Sequence, residues 1–466
     1  MATFARLHFK TILALAVLVG YAIFTFSNLT TYPRIWLDEG FKMQLARNFA
    51  ETGKMAIQFE PSKIEYSVHN ASTGWPVIAG LGLFLKIFGV SFATARTFSV
   101  IVLLAFLLVT WLMVRKKWGD LPALLSLALL VTYAPLFANG KMILAEIPGL
   151  LFLALGFFFL RSEIGPPKGG ATSFVPYIFF GLFAASKLSF VAVFIPTLLV
   201  GLIWAVWKRQ VELKQAIYSF AITCLIALPT LYMSLSAKIG LQLANPYGQV
   251  SHLQTIISNL KLFLSSSTLW HFLLLVLVAS WWVLVQWRKG ERHWLIVTLK
   301  VFCLLVVAYW LVSPGVFRYL LPTTLLLLAL LPIFLPRKWL FLAMLLVLVQ
   351  GYHFTTSASI SHGGDYLIFE SYMKENPISE SASVGIINSA FAPVFVPREH
   401  MTQFFRIDAI EEGVNVLSVQ DQNNLPDYLI YEVDNLANDI APYMPIIFER
   451  YQKVVDFDRI VIWRKK

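Results

Sequence analysis

Cysteine is nearly missing from this chain of 466 residues, and acidic residues are scarce through most of it. The two cysteines, Cys224 and Cys303, both lie inside apolar segments, which argues against a disulfide framework and predicts reduced packing residues. Residues 1–354 contain only ten Asp or Glu against 28 Lys or Arg. Because acidic side chains are costly near hydrocarbon, the few that lie at helix ends are candidates for function.

Apolar residues dominate instead, since 58% of the chain is hydrophobic, 14% is charged and the mean hydropathy is +0.69. This composition is that of an integral membrane protein. The excess of basic residues lies in short tracts between apolar segments, which is typical of cytoplasmic loops and argues against a nucleic-acid partner. These tracts are Arg115-Lys116-Lys117, Lys208-Arg209, Arg288-Lys289 and Arg337-Lys338.

The first apolar segment follows Arg6, His8 and Lys10 and has no small-x-small cleavage site, so we predict an uncleaved signal-anchor with a cytoplasmic N-terminus. The predicted fold class is mainly α: a polytopic membrane helix bundle of about eleven spans with amphipathic helices in its outer loops. The predicted helical spans lie near 10–28, 92–114, 121–138, 143–160, 173–207 (split at Ser186-Lys187), 216–236, 269–287, 294–312, 319–335 and 339–354. A tight turn is predicted at Asn139-Gly140-Lys141.

Residues 75–90 are apolar but form a segment of only about 16 residues, whereas a span needs roughly 20. If this segment crossed the membrane, the tract at 115–117 would lie outside, against the positive-inside rule. We therefore predict a re-entrant or interfacial helix here. Residues 40–52, in the same outer loop, show an amphipathic pattern that suits a helix at the membrane interface.

Residues 355–466 differ from the rest, with 16 acidic and 9 basic residues. Three short apolar segments, at 384–387, 426–432 and 459–463, predict buried strands, and 436–453 predicts a helix. The predicted division is a transmembrane domain, 1–354, whose outer loop 29–91 carries an acidic motif, and a small non-cytoplasmic α/β domain, 355–466. Short loops and this compact outer domain favour a bacterial inner membrane.

Five charged residues reach the same outer level in this topology, although they come from distant parts of the chain: Asp38, Glu39, Glu146, Lys187 and Arg318. Carboxylates facing cations above an apolar bundle suit attack on a sugar whose leaving group is a lipid-linked phosphate. A carboxylate would take the proton of the acceptor hydroxyl. The Lys and Arg side chains would neutralise the charge that grows on the departing phosphate.

Short motifs carry a family resemblance over roughly residues 10–340. In chain order they are Trp36-Leu-Asp-Glu-Gly, Ala46-Arg-Asn, Ser72-Thr-Gly-Trp-Pro, Ile87-Phe-Gly-Val-Ser, Ala95-Arg96, Ala145-Glu-Ile-Pro-Gly, Ser186-Lys187 and Phe317-Arg-Tyr-Leu-Leu-Pro. Together they resemble the C-type membrane glycosyltransferases (GT-C fold), in particular the protein O-mannosyltransferases and the lipid A aminoarabinose transferases. The ordered set is fairly specific for the family and weak for the substrate.

The resemblance implies an inverting glycosyltransferase that takes a sugar from a polyprenyl phosphate outside the cytoplasm. The acceptor would be a glycolipid, a polysaccharide or a protein. By motif position, Asp38 is the general base, Glu39 is its neighbour in the site, and Glu146 matches a second acidic position where many relatives have Asp.

The same resemblance implies a set of substrate-binding residues. Lys187 and Arg318 match basic positions that hold the donor phosphate, and Arg96 and Tyr319 match less closely. His69 lies in His69-Asn70-Ala71, where many relatives have a His-Pro-Pro type of motif.

No cofactor is predicted, although some relatives use a divalent metal ion. Asp38, His69 and His252 are the residues that would bind one here. The chain has no His-x-x-x-His and no Cys-x-x-Cys spacing to support such a site.

Simpler explanations stay open for the charged candidates. Asp38 suits a helix cap, Glu39 a solvated loop charge, and Glu146 the positive end of a helix dipole. Lys187 and Arg318 also suit snorkelling to lipid headgroups.

The main alternative function is a transporter or flippase for lipid-linked sugars, which predicts charges near the bilayer midplane and duplicated, broken helices. Another is a scaffold whose acidic C-terminal domain binds a partner.

Overall fold

A computed structural model gives the fold of the chain. It describes residues 2–27, 29–33, 35–61, 63–65, 73–160, 174–236, 251–265, 268–288, 294–313, 317–357, 364–379, 381–387, 389, 391–404, 425–432, 444–457 and 459–466.

The described part of the chain is mostly helical. The α-helices, in chain order, are α1 (Ala2–Ser27), α2 (Leu37–Thr52), α3 (Trp75–Phe88), α4 (Phe92–Trp118), α5 (Asp120–Val131), α6 (Ala134–Lys141), α7 (Glu146–Phe159), α8 (Val175–Ala185), α9 (Leu188–Trp207), α10 (Leu213–Ser236), α11 (His252–Ser265), α12 (Thr268–Arg288), α13 (Trp294–Val312), α14 (Leu321–Phe334), α15 (Leu340–Ser357), α16 (Gly364–Glu375), α17 (Ala392–Phe395) and α18 (Met444–Arg450). Short 3-10 helices cover Phe317–Leu320, Arg337–Trp339 and Arg398–His400.

Within the described ranges, six helices are long and apolar enough to cross a membrane by length and composition: α1, α4, α9, α10, α13 and α15. The pair α5 and α6 passes the same test together but is bent by 68°. Five further apolar helices, α3, α7, α8, α12 and α14, are shorter. The predicted helical membrane bundle is confirmed, and the number of about eleven spans stays a prediction.

The bend between α5 and α6 corrects one detail of the predicted topology. The helix breaks at Thr132 and Tyr133, and Pro135 lies in the first turn of α6, where its missing N–H costs no hydrogen bond. The side-chain amide of Asn139 donates to the Pro135 carbonyl oxygen at 2.7 Å. The predicted turn at 139–141 is therefore wrong, because these residues form the last turn of a helix.

The short helix α3 has 14 residues, as expected for a segment that does not span. Its first turn is held by the bundle, since the Trp75 indole N–H donates to the Ile226 carbonyl oxygen at 3.1 Å. The amphipathic segment predicted at 40–52 lies within α2, so helices in this outer loop are confirmed.

The C-terminal residues form a five-stranded sheet from β3 (Val384–Ile387), β4 (Met401–Phe404), β5 (Tyr428–Glu432), β6 (Tyr451–Asp456) and β7 (Ile460–Lys465). The strand order is β4-β3-β5-β7-β6. Strands β3, β4 and β5 are parallel, and β7 is antiparallel to both β5 and β6. A two-stranded ribbon, β1 (Ile57–Glu60) and β2 (Lys63–Glu65), follows α2.

This sheet confirms the predicted α/β character and the three predicted strands. The helix predicted over 436–453 is partly wrong. Residues 433–443 lie outside the described residues, α18 ends at Arg450, and 451–456 form an edge strand. Only Tyr451 of that strand is buried, so its sequence lacks the alternation of apolar residues that identifies a strand.

One hydrophobic core joins the outer-loop helices to the C-terminal domain. Phe41 and Leu45 of α2 and Leu81 of α3 belong to the same buried cluster as Phe369 and Phe391. Phe41 and Leu45 are four residues apart and therefore share one face of α2. That face is covered by protein, so the sheet and the outer-loop helices form one layer, and the bundle has a separate core.

A polar contact adds to this layer at Arg47, in the Ala46-Arg-Asn motif. Its Nη1 atom donates to three C-terminal carbonyl oxygens at 3.0, 2.8 and 3.1 Å, those of Pro393, Val394 and Val396. Glu51 holds the Arg47 Nε atom at 2.9 Å and the Arg398 Nη1 atom at 3.1 Å. Helix α2 is thus bonded to a segment of the chain that follows it by more than 340 residues.

Replacing Arg47 by Ala should loosen the C-terminal domain from α2, because hydrogen bonds from a charged donor contribute about 1.5–3 kcal/mol. We expect a lower thermal unfolding temperature and faster proteolytic release of the domain, both measured in detergent. Arg450→Ala removes a half-exposed arginine that pairs with its neighbour Glu449, and serves as the control. Equal behaviour of the two variants would contradict a docking role for Arg47.

Candidate active site

Helix α2 begins at an acidic motif, and its first turn explains why the two carboxylates differ. Trp36 has extended backbone angles (φ −111°, ψ 147°) and precedes the helix. The Glu39 side chain turns back and accepts the Trp36 backbone N–H at 2.9 Å, as the third residue of a capping box does. Asp38 lies one residue earlier in this first turn, and the capping contact to the Trp36 backbone is made by Glu39.

Glu39 is fully buried and bonded through both oxygens. Arg96 of α4 donates Nη2 to Oε1 at 2.7 Å and Nε to Oε2 at 3.0 Å. The Ile143 N–H also donates to Oε2, at 3.2 Å. The remaining Arg96 nitrogen donates to the carbonyl oxygens of Leu29 and Pro33 at 3.1 and 2.8 Å. This two-point ion pair ties α2 to α4 and to the chain before α7.

Asp38 contacts a different set of side chains. Both terminal nitrogens of Arg318 lie 3.1 Å from its Oδ2 atom. The Lys42 amine lies 3.8 Å from the same oxygen and donates to the Asp38 backbone carbonyl at 3.2 Å. The Asp38 side chain is 27% exposed, so this carboxylate is reachable from outside while Glu39 is not.

A second carboxylate completes the charged cluster. The buried Glu146, at the start of α7, accepts a short hydrogen bond from the Lys187 amine, and the Arg318 Nε atom lies 3.9 Å from the same oxygen. Tyr319 borders both cations, with its ring centre 4.8 Å from the Lys187 amine and 5.7 Å from the Arg318 guanidinium carbon. The Trp36 ring lies under Arg318 at 4.5 Å.

Lys187 owes its position to a close contact between two motifs. It is extended (φ −158°, ψ 141°) and separates α8 from α9, which confirms the predicted split. The Gly74 N–H donates to the Ser186 carbonyl oxygen at 2.8 Å. A Cβ atom on Gly74 would lie 1.7 Å from the Ala185 carbonyl oxygen, so only glycine fits in this part of Ser72-Thr-Gly-Trp-Pro.

Arg318 lies in a 3-10 helix that links α13 to α14. The preceding helix end is fixed by Asn259 of α11, whose amide nitrogen donates to three carbonyl oxygens at 2.9, 3.0 and 2.6 Å, those of Trp310, Leu311 and Ser313. Asn259 is buried on an otherwise mostly exposed helix. No sequence motif identifies Asn259, and its only signal is a polar residue amid the apolar positions of an amphipathic segment.

No sequence motif identifies Lys42 either, although it lies four residues after Asp38 on the same helix, where side chains contact each other. It is 3% exposed. Burial lowers the pKa of Lys42, the Asp38 carboxylate opposes that shift, and the Arg318 guanidinium adds to it. With Lys42, the cluster has three cations and two carboxylates, so its net charge suits an anionic ligand.

Cavities open on two sides of Arg318. One, of about 100 Å³, is lined by Tyr133, Pro135, Asn139, Phe263, Phe272, Arg318, Leu320, Leu321 and Thr324. A smaller one, of about 10 Å³, joins the charged Glu146, Lys187 and Arg318 to apolar walls that include Phe190, Val193, Val306 and Pro322. Polar groups and apolar walls therefore meet at the cluster.

The structure thus sorts the predicted residues into two groups. Asp38, Glu146, Lys187, Arg318 and Tyr319 come together. Glu39 and Arg96 do not face this cluster, because they form the separate buried pair. His69 lies outside the described residues. Within the described ranges, no group of three or more His, Cys, Asp or Glu side chains is arranged to hold a metal ion.

Comparisons with known proteins identify the fold. Residues 77–233 match the family described as dolichyl-phosphate-mannose-protein mannosyltransferase. The crystal structure of ArnT from Cupriavidus metallidurans bound to undecaprenyl phosphate superposes with a TM-score of 0.64 at 13% identity, covering 97% of each chain. The fold is the GT-C fold. The resemblance inferred from the motifs is thereby confirmed.

Archaeal structures share this GT-C fold. An Archaeoglobus fulgidus oligosaccharyltransferase complexed with Zn and sulfate gives a TM-score of 0.57 at 14% identity, over 89% of this chain and 68% of that one. AglB from the same organism, with an inhibitory peptide and a dolichol-phosphate, gives 0.53 at 12% identity, over 96% and 73%. No curated protein sequence matches significantly. The family match and the fold together indicate a membrane glycosyltransferase.

Replacing Glu39 by Gln should destabilise the protein strongly, because the buried Arg96 guanidinium would lose its counter-charge. Breaking one side of a buried ion pair costs about 3–5 kcal/mol. Thermal unfolding of the purified variant measures this loss. Glu449→Gln, at a side chain that is 68% exposed, is the control and should change little. Near-normal stability of the Glu39 variant would contradict its role as an anchor of α2.

Proposed function

We propose that the protein transfers a sugar from a polyprenyl-phosphate donor to an acceptor outside the cytoplasm, with inversion at the anomeric carbon. One observation carries this proposal: a partly exposed carboxylate, Asp38, contacts a guanidinium that also borders the buried Glu146–Lys187 pair. The site therefore holds a base and a cationic pocket within one side-chain length of each other.

The chemistry assigns a role to each side of the cluster. The Asp38 carboxylate takes the proton of an acceptor hydroxyl, whose oxygen attacks the anomeric carbon of the donor. The bond from that carbon to the phosphate oxygen breaks, and the lipid phosphate leaves with the electron pair. Arg318 and Lys187 stabilise the charge that develops on this phosphate. Attack opposite the leaving group in a single displacement inverts the anomeric centre.

Glu146 acts on the cations and not on the sugar in this scheme. Its carboxylate is 2% exposed and bonds Lys187, so it is poorly placed to reach a substrate hydroxyl. A buried carboxylate between two cations keeps both side chains close together when the site is empty. We therefore assign Glu146 as a positioning residue, in place of the catalytic role suggested by its motif position.

Glu39 and Arg96 receive positioning roles for a similar reason. The four hydrogen bonds to Glu39 use its oxygens for the protein itself. Tyr319 lines the phosphate pocket beside both cations.

The donor class is supported by the bound lipids of the structural relatives. ArnT was solved with undecaprenyl phosphate and AglB with a dolichol-phosphate. Apolar side chains, among them Phe190 and Val193, lie beside Lys187, as a site for a lipid-linked phosphate requires. Glycolipid, polysaccharide and protein all stay open as the acceptor. An outer location follows from the positive-inside rule applied to the basic tracts.

The transporter alternative predicts movement of a lipid-linked sugar without covalent transfer, with charges near the middle of the bilayer. Glu146 begins α7, Lys187 directly precedes α9, and Arg318 precedes α14. Because the ends of broken helices also form transport sites, an assay in vesicles for movement without covalent transfer separates the two functions.

Replacing Asp38 by Asn should lower turnover by at least about 100-fold, because it removes the general base while keeping the shape of the side chain. Binding of the polyprenyl-phosphate donor should be largely kept, since the phosphate contacts Arg318 and Lys187. Single-turnover transfer and donor binding are measured on the same purified variant. Near-normal transfer would show that another group takes the proton.

Replacing Lys187 or Arg318 by Met should raise the donor KM by about 10-fold or more, as expected for the loss of one charge-assisted contact of about 1.5–3 kcal/mol. The acceptor KM should change much less. Initial rates over a grid of donor and acceptor concentrations separate the two effects. Equal changes in both constants would argue against phosphate binding by these cations.

A further inference from the structure

The contacts of Arg318 raise a difficulty for the proposed chemistry. In the empty site both of its terminal nitrogens lie 3.1 Å from the same oxygen of Asp38. A donor phosphate that binds Arg318 would compete for these two nitrogens. Asp38 would then lose its strongest counter-charge at the moment when it has to be ionised to accept a proton.

Lys42 is placed to meet this need, because it lies on the same helix as Asp38. Both residues lie on α2, one helical turn apart, whereas Arg318 belongs to a different segment. The Lys42 amine is 3.8 Å from the Asp38 carboxylate and is anchored by the Asp38 carbonyl oxygen at 3.2 Å. An ammonium has three N–H donors, so this anchor leaves two for the carboxylate or the substrate.

The packing around Lys42 supports a functional reason for its charge. A lysine that is 3% exposed carries a desolvation cost that an apolar residue at the same place would avoid. Phe41 and Leu45, its neighbours on α2, already supply the apolar contacts of the helix. The position therefore keeps a buried cation beside the candidate base.

We propose that Lys42 is the permanent counter-ion of Asp38, which keeps this carboxylate ionised while Arg318 is shared with the donor phosphate. The proposal rests on the proposed function, since it assigns Lys42 to the base of that reaction. Lys42 is thus a positioning residue that acts through Asp38.

Other charged groups around Asp38 have to be weighed in any test. Arg318 and Tyr319 face it from the 3-10 helix, Glu146 from α7, and Lys187 from the residue before α9. Among these groups, the Arg318 guanidinium is in hydrogen-bond contact with the Asp38 carboxylate, and the phosphate engages it. Removing Lys42 should therefore matter most when a lipid phosphate is bound.

The test measures the protonation of Asp38 directly, by its pH-dependent labelling with a water-soluble carbodiimide and quantification by mass spectrometry. Wild type, Lys42→Met and Lys42→Arg are compared, each with and without undecaprenyl phosphate. We expect the labelling midpoint of Lys42→Met to rise by about one pH unit, because an adjacent cation favours the ionised carboxyl. The rise should be larger with the lipid phosphate, and Lys42→Arg should restore the wild-type midpoint.

Two further variants make the result decisive. Lys54→Met removes the same charge from an exposed position just after α2 and should leave the midpoint unchanged. Lys42→Gln removes the charge but keeps a hydrogen-bond donor, in case the Met variant does not fold. A folded charge-removing variant with a wild-type midpoint, with and without lipid, would overturn the proposal. Failure of the proposed function is a separate result, because it appears as missing sugar transfer by the wild type.

Discussion

A charge placed among apolar groups has to be compensated nearby, and around α2 the Glu39–Arg96 ion pair meets this requirement. The pair uses two parallel hydrogen bonds, which fix both the distance and the orientation of the two side chains. Because Glu39 is held on α4, the neighbouring Asp38 presents its carboxylate to Arg318 instead. Two adjacent acids of the same motif therefore differ in their surroundings. Glu39 is buried, and Asp38 is partly exposed.

The same requirement explains why the site is built from several parts of the chain. Asp38 and Lys42 come from the outer-loop helix, Glu146 and Lys187 from the ends of bundle helices, and Arg318 from a 3-10 helix. A buried ion pair is weak evidence for stability, since desolvation offsets much of the attraction. The presence of these ion pairs in the cluster fits the proposed function, in which a phosphate replaces one of the carboxylates as the partner of Arg318.

Much of this arrangement follows from the sequence. Asp38, Glu146, Lys187 and Arg318 stand out because charged residues at the ends of apolar helices are rare and need a reason. The prediction that they share one membrane level rests on the positive-inside rule, and so does the prediction that the short α3 does not span. The GT-C resemblance rests on the same motifs and agrees with the fold.

Other features depend on contacts that no local pattern reveals. The sequence does not distinguish Asp38 from Glu39, because only the position of Arg96 shows which carboxylate is buried. Lys42 resembles an ordinary polar residue of an amphipathic helix, and only the fold shows that it is buried beside Asp38 and Arg318. The edge strand at 451–456 continues directly from α18 and has few buried residues, so periodicity fails there.

The hydrogen bonds of Arg47 bear on how such a protein is assembled. Helix α2 is synthesised early, but the carbonyl oxygens that Arg47 binds belong to residues 393–396, which emerge from the ribosome only after the whole bundle. Contacts between such distant residues form late, because a very long loop has to close first. The helix that carries the candidate base therefore gains its contacts with residues 393–396 late, after the helices of the bundle have been synthesised.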